Sequence, residues 1–96
     1  MPPNAPPQIR KELAMTLIEG GMPAEANNQL NEYLRLQPKD AEAWLASALA
    51  KDALSQVTEA QRAIIQAYQS DANLTMDRIR ASEPLQRIAA PLFRRK

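Results

Sequence analysis

Apolar residues recur at helical spacing along most of this chain. Ile9, Leu13 and Leu17 fall at i, i+4 and i+8 and predict a helix from about Pro7 to Ile18. Pro7 suits its first turn, where a missing N–H costs nothing, and Gly20-Gly21 ends it through the left-handed conformation that glycine tolerates. A second helix opens near Pro23 and carries a buried stripe of Ala26, Leu30, Tyr33 and Leu34. It closes at Gln37-Pro38, because proline disfavours helical geometry in the residue before it. Asp40 sits where a third helix needs its N-cap, and a run of alanines and leucines around Trp44 follows. That helix stops weakly at Leu54-Ser55, where no glycine is present. Ser55 or Thr58 is expected to cap a fourth helix bearing Val57, Ala60, Ile64, Ala67 and Tyr68. Ser70-Asp71 supplies a turn and the next cap. A short helix is expected at about 72–81 and a last one from Glu83 to about Phe93, interrupted or ended near Pro91.

These elements are not independent, because the pattern at residues 7–40 returns 34 residues later at 41–74. The first copy is marked by Leu13, Ala14, Leu17, Gly21, Ala26, Leu30, Tyr33 and Pro38. Trp44, Ala48, Ala60, Ile64 and Ala67 mark the second. Identity between the copies is confined to Ala14/Ala48, Glu25/Glu59 and Ala26/Ala60, but two of these fall at small-residue positions that close helix packing requires. Past residue 74 the repeat fails, since Pro84 would lie mid-course in a third unit's first helix. The expected organisation is a proline-rich linker at 1–6, two helix–turn–helix units at 7–74, and a C-terminal helical cap with a basic tail at 75–96. Pro3 and Pro6 meet a bare P-x-x-P spacing, which four prolines among the first seven residues produce in any case, so a linker is the simpler reading.

The repeat resembles the tetratricopeptide family over 68 of the 96 residues. Trp44 stands where that family opens its first helix with a large residue, though Arg10 replaces it in the first copy. Ala14 and Ala48 match the small residue of the first helix, and Gly21 matches the glycine between helices, where the second copy has Ser55. Glu25-Ala26 and Glu59-Ala60 match the tight packing position of the second helix, followed by Leu30 and Ile64; Pro38 closes the first unit as expected, and Ala72 departs from it in the second. The resemblance implies an all-α fold of antiparallel helix pairs stacked as a short α-solenoid; a generic four- or five-helix bundle is the alternative.

The resemblance further implies a concave groove lined by the first helix of each pair. Gln8, Lys11, Glu12, Met15 and Ile18 belong to it in the first unit, and Glu42, Leu45, Leu49 and Asp52 in the second, with Met76 and Ile79 as an extension. Partner contact is expected at Lys11, Met15, Ile18, Leu45, Leu49 and Asp52. A clamp for a peptide carboxylate is not expected, because only Lys11 would supply it while Leu45, Ala46 and Leu49 occupy places that need polar groups. Met15 beside Ile18, Leu45 and Leu49 suits an adaptable groove for a helix or peptide. The same leucines could instead pack against a neighbouring helix. The implied function is a non-catalytic protein–protein interaction scaffold, the terminal part of a larger protein. The alternative is self-assembly through exposed helix faces such as that of Leu92 and Phe93.

Composition narrows the chemistry. The chain is 45% hydrophobic but 4% aromatic, with alanine prominent, which favours packed helices over sheet. It has no cysteine and no histidine, so disulfides, His/Cys zinc sites, Ser–His or Cys–His pairs and a histidine pH switch are excluded. No cofactor is implied, and Asp40, Glu42 and Asp52 lack the partners of an acid–base site. Tyr33, Trp44 and Tyr68 read as core residues rather than base-stacking platforms. Net charge is +1, with residues 1–70 at −2 and 71–96 at +3, the excess lying mainly at Arg94, Arg95 and Lys96. Three cations make no polybasic signal, so neither nucleic acid nor membrane insertion is expected, and no signal peptide is recognised. The chain reads as cytoplasmic as it stands or as a soluble fragment of something larger.

Overall fold

A computed structural model describes residues 6–93 as six helices: α1 (Pro7–Glu19), α2 (Pro23–Leu36), α3 (Ala41–Ala53), α4 (Val57–Ser70), α5 (Ala72–Ala81) and α6 (Glu83–Phe93). Residues 1–5 of the proline-rich segment and the basic residues 94–96 lie outside the described residues. The helices stack in chain order, α1 on α2, α2 on α3 and α3 on α4, while α5 and α6 fold back over α3 and α4. The result is an all-α array 48 Å long and 25 × 21 Å across.

Both inter-helix turns within the pairs use one hydrogen-bonding device. In the first, the Met22 N–H donates to the Leu17 carbonyl and the Gly21 N–H to that of Ile18, with Gly21 at φ 79°. In the second, Gln56 donates to Lys51 and Ser55 to Asp52, with Ser55 at φ 63°. This Schellman closure requires a left-handed residue after the helix, which glycine adopts freely and serine only at a cost. Ser55 therefore closes α3 rather than capping α4. Neither Ser55 nor Thr58 caps α4: its N-cap residue is Gln56, with no side-chain bond. Asp40 and Asp71 do cap, accepting from the backbone N–H groups of Ala43 (3.1 Å) and Leu74 (3.0 Å).

Two clusters make the core. One joins Ala14 of α1 to Ala26, Leu30, Tyr33 and Leu34 of α2 and to Ala43, Ala46 and Ala50 of α3. The other joins Ala41, Leu45 and Ala48 of α3 to Ala60, Ala63, Ile64 and Ala67 of α4, and these to Ile79, Leu85, Ile88 and Ala89. Trp44 is half-buried between the two clusters, its indole N–H donating to the Pro38 carbonyl at 2.8 Å. Alanine at 14, 26, 48 and 60 is fully buried, which lets the paired helices approach closely.

The helix faces correct several expectations. In α1 the buried residue is Ala14; Leu13 and Leu17 are half-buried and Ile9 is exposed, because no helix covers the outer side of the first element. In α4, Val57 and Tyr68 are exposed and Ala63 takes a place in the core instead. Tyr68 is thus a surface ring that packs on Phe93, with centroids 5.7 Å apart. The last helix does not end at Pro91 but runs through it to Phe93. Proline there forfeits only the bond to the Arg87 carbonyl, at an exposed position one turn from the helix end. Pro84 lies in the first turn of α6, after Ser82, whose Oγ accepts from the Leu85 N–H at 3.4 Å.

Candidate partner-binding groove

The Asp71 cap starts α5 at Ala72, inside the second 34-residue period, so α5 does not repeat the register of α3. A short helix docked in this way leaves a gap beside α3. The gap is a groove of about 310 Å³ between α1 and the α5–α6 corner, with α3 as its floor. Met15 and Ile18 come from α1, Leu45, Ala46 and Leu49 from α3, and Ala81 and Leu85 from the corner. Glu19, Glu42, Arg78 and Ser82 supply its polar atoms.

Four of the six expected contact residues, Met15, Ile18, Leu45 and Leu49, therefore line one groove. Leu45 does so from within the core and is 3% exposed, whereas Met15 at 38% is the most open of the four. The other two have internal partners. The Lys11 ammonium lies 2.9 Å from Asp40 and 2.8 Å from Glu42 and is largely covered. Asp52 accepts both Arg87 guanidinium nitrogens, at 3.1 and 2.7 Å, and ties α3 to α6. Met76 is half-buried against the second cluster and Ile79 belongs to it, so neither extends the groove. Arg78 and Ala81 occupy the wall in their place.

Lys11, Asp40 and Glu42 form the centre of a polar knot that fixes the groove's end. Tyr33 of α2 donates its hydroxyl to Asp40, Lys11 of α1 bridges Asp40 and Glu42, and Arg78 of α5 reaches Glu42 at 2.6 Å. The Lys11 ammonium also lies 6.0 Å from the centre of the Tyr33 ring. Burial alone would lower the Lys11 pKa, but the hydrogen bonds to Glu42 and Asp40 outweigh it and raise the pKa above 10.5. Burial opposes ionisation of Asp40 as well, yet the bonds from Tyr33, Lys11 and the Ala43 N–H hold its carboxyl below 3.8. Glu42 is held below 4.5, first by Lys11 and then by Arg78. Burial, followed by the bond to Asp40, raises Tyr33 above 10.0. The knot is thus charged throughout the neutral range, and its ions are already matched.

Among the described residues no group of three His, Cys, Asp or Glu side chains could hold a metal ion, and no helix is long and apolar enough to cross a membrane. The arrangement offers an apolar trough with charged lips.

Sequence reasoning missed Arg78, Ala81, Ser82 and Leu85 because, although the repeat fails past residue 74, it extended the groove line at the 34-residue offset to Met76 and Ile79. The signal was present. Glu42, Leu45, Ala46 and Leu49 have the same internal spacing as Arg78, Ala81, Ser82 and Leu85, displaced by 36 residues instead of 34.

Stacked antiparallel helix pairs with a trough along the first helices form a short α-solenoid. Residues 7–51 match the family model described as tetratricopeptide repeat, a span that covers α1, α2 and nearly all of α3. The matched segment is similar to the tetratricopeptide repeat family, and the six-helix array is consistent with a helical repeat of that type. Such repeats are protein–protein interaction modules and are typically non-catalytic. No curated protein and no solved structure gives a match to the chain.

Proposed function

We propose that the chain is a non-catalytic scaffold that binds a segment of a partner protein in the groove between α1, α3 and the α5–α6 corner. Its occupant is an amphipathic helix or strand-like peptide that inserts about two or three aliphatic side chains over Met15, Ile18, Leu45 and Leu49. The observation that carries this reading is the coincidence of an apolar floor with charged lips of opposite sign. Glu19 stands on the α1 side with no ion pair among the described residues, and Arg78 stands on the α5 side, 46% exposed. A partner segment with a basic residue for Glu19 and an acidic one that shares Arg78 with Glu42 fits this polarity in one direction only.

The size of the trough sets the affinity class. Burying each aliphatic side chain contributes about 1.5–3 kcal/mol, and association consumes a substantial part of the sum. Micromolar binding follows, with Lys11 and Asp52 acting as struts rather than contacts.

The test is a selection from a displayed random-peptide library on immobilised protein, repeated with Met15→Glu. Met15 is exposed enough for this change to preserve helicity, which circular dichroism checks. Enriched peptides with paired apolar residues that lose at least about tenfold in affinity on Met15→Glu support the groove, since the new carboxylate would be desolvated without a partner. Peptides that bind both proteins equally would place the recognition surface elsewhere.

A further inference from the structure

Three ion pairs set the walls of the groove in register. Lys11 of α1 and Arg78 of α5 both reach Glu42, at 2.8 and 2.6 Å, and Arg87 of α6 reaches Asp52 at 2.7 Å. The segment from Arg78 to Arg87 therefore runs beside α3 in the direction of α3, as α1 does on the other side. Counting from the level of Lys11, Glu42 and Arg78, a step of four residues reaches Met15, Ala46 and Ser82, and a step of seven reaches Ile18, Leu49 and Leu85. All six line the groove. Each wall thus presents side chains at the intervals with which one helix meets another. From Glu42 to Leu49 the floor is about 10 Å long, or two helical turns.

We propose, resting on the groove as the binding surface, that its occupant is a single α-helix of a partner protein lying antiparallel to α1 and α3. A helix lays apolar side chains at i, i+3 and i+7 along the floor while bonding its own backbone. An extended segment in the same place would leave amide and carbonyl groups facing apolar walls, because walls made of helix have no free backbone edge to pair them. The polar side chains of the groove are Glu19, Glu42, Arg78 and Ser82, of which Glu42 and Arg78 already bond each other. Among the described residues no asparagine or glutamine lines it to hold such a backbone. Direction follows from charge. Because α1 ends at Glu19, its carbonyl terminus and that carboxylate together make one end of the trough negative, while exposed Arg78 stands at the other. The positive N-terminus of an antiparallel helix meets Glu19 and its negative C-terminus meets Arg78, whereas a parallel helix would set like ends together. The partner is thus an amphipathic helix with a basic residue towards its N-terminus and an acidic one towards its C-terminus.

Two displayed peptide libraries of equal size, selected on the full chain and on its Met15→Glu variant, test the helix and its direction. One randomises segments of about 15 residues on an alanine-rich helical scaffold, and the other fixes a proline at the centre of each segment, which breaks a helix. The expected result is enrichment from the helical library at least about tenfold above the proline library, lost with Met15→Glu. The enriched peptides should carry Lys or Arg before the first apolar residue and Asp or Glu after the last. A nitroxide on the N-terminus of such a peptide should broaden the amide signal of Glu19 more strongly than that of Arg78. Met15-sensitive binders drawn mainly from the proline library overturn the helix, and the opposite charge order or stronger broadening at Arg78 overturns its direction; either leaves the groove standing as the binding surface. Binders indifferent to Met15→Glu, or none from either library, overturn the groove as the binding surface and the helix with it.

Discussion

The two helix pairs are built on one period and one set of alanines, yet they live in different surroundings. Their first helices show it best: α1 buries Ala14 alone, whereas α3 buries Ala41, Ala43, Leu45, Ala46, Ser47, Ala48 and Ala50. The substitutions between equivalent positions follow that difference. Arg10, Lys11 and Glu12 of the outer helix become Trp44, Leu45 and Ala46 of the inner one. An end helix of a solenoid must be wetted on its free side, and a central one must be covered on nearly all sides. Position in the stack, more than the repeat itself, decides which residues the period can bury. It also makes the groove, because only α3 has apolar residues both beneath α1 and beneath the α5–α6 corner.

The sharpest way to break this comparison is to empty equivalent core positions. Leu30 and Ile64 are both fully buried one period apart. Ile64→Ala is expected to cost about 3–4 kcal/mol and Leu30→Ala about 2–3 kcal/mol in urea unfolding. The first leaves a cavity enclosed by α3, α4 and the α5–α6 pair, while the second is relieved by half-buried Leu17 and Ile18 of the outer helix. Equal or reversed costs would remove the distinction between a central and a terminal pair.

The caps give the next contrast. Asp40→Ala removes an N-cap and also strips Lys11 and Tyr33 of a partner, for an expected loss of about 2 kcal/mol. Asp71→Ala removes only an exposed cap, for about 1 kcal/mol. Thermal unfolding midpoints of the two variants give the comparison.

A smaller effect appears with pH. Asp40 and Glu42 titrate below their ordinary values of 3.8 and 4.5, so their contribution is fully present above about 4.5 and is lost as pH falls through the depressed values. Lys11, raised above 10.5, contributes fully below that value and loses its contribution as pH climbs through the raised one. Stability measured by urea titration should therefore decline below about pH 4.5, less steeply in Glu42→Gln than in the wild type.

The smallest contrast is at the turns. Gly21 and Ser55 hold the same left-handed position one period apart, and a Cβ at Gly21 would meet nothing within 4 Å. The difference is one of backbone conformation alone. Ser55→Gly should stabilise by about 0.5–1 kcal/mol and Gly21→Ser should destabilise by about 1 kcal/mol, read as opposite shifts in unfolding midpoint.

Much of this architecture is legible in the sequence where the signal is local. Pro7, Gly21, Asp40 and Asp71 each act within a few residues, and they fixed helix starts and stops that the structure repeats. The buried stripe of α2 also follows from spacing, because a helix between two neighbours has a defined inner face. Where the reasoning fell short, the cause is long range. Ile9 obeys the helical period but no element covers it, and Val57 and Tyr68 lie just beyond the arc that α4 buries. The groove was half legible. Its α1 and α3 walls follow from the repeat, while the α5–α6 wall depends on how two short helices outside the period dock. The pairings of Arg78 with Glu42 and Arg87 with Asp52, 36 and 35 residues apart, leave no local trace.

The claim on which the account turns is that the trough over α3 is the recognition surface. Amide and methyl chemical-shift mapping of the isotope-labelled chain, titrated with a peptide recovered by selection, tests it most directly. Saturable shifts concentrated at Met15, Ile18, Leu45, Leu49 and Leu85, with Ile65 and Tyr68 unmoved, are expected. Shifts confined to the α4 face, with Met15 and Leu49 silent, would contradict it.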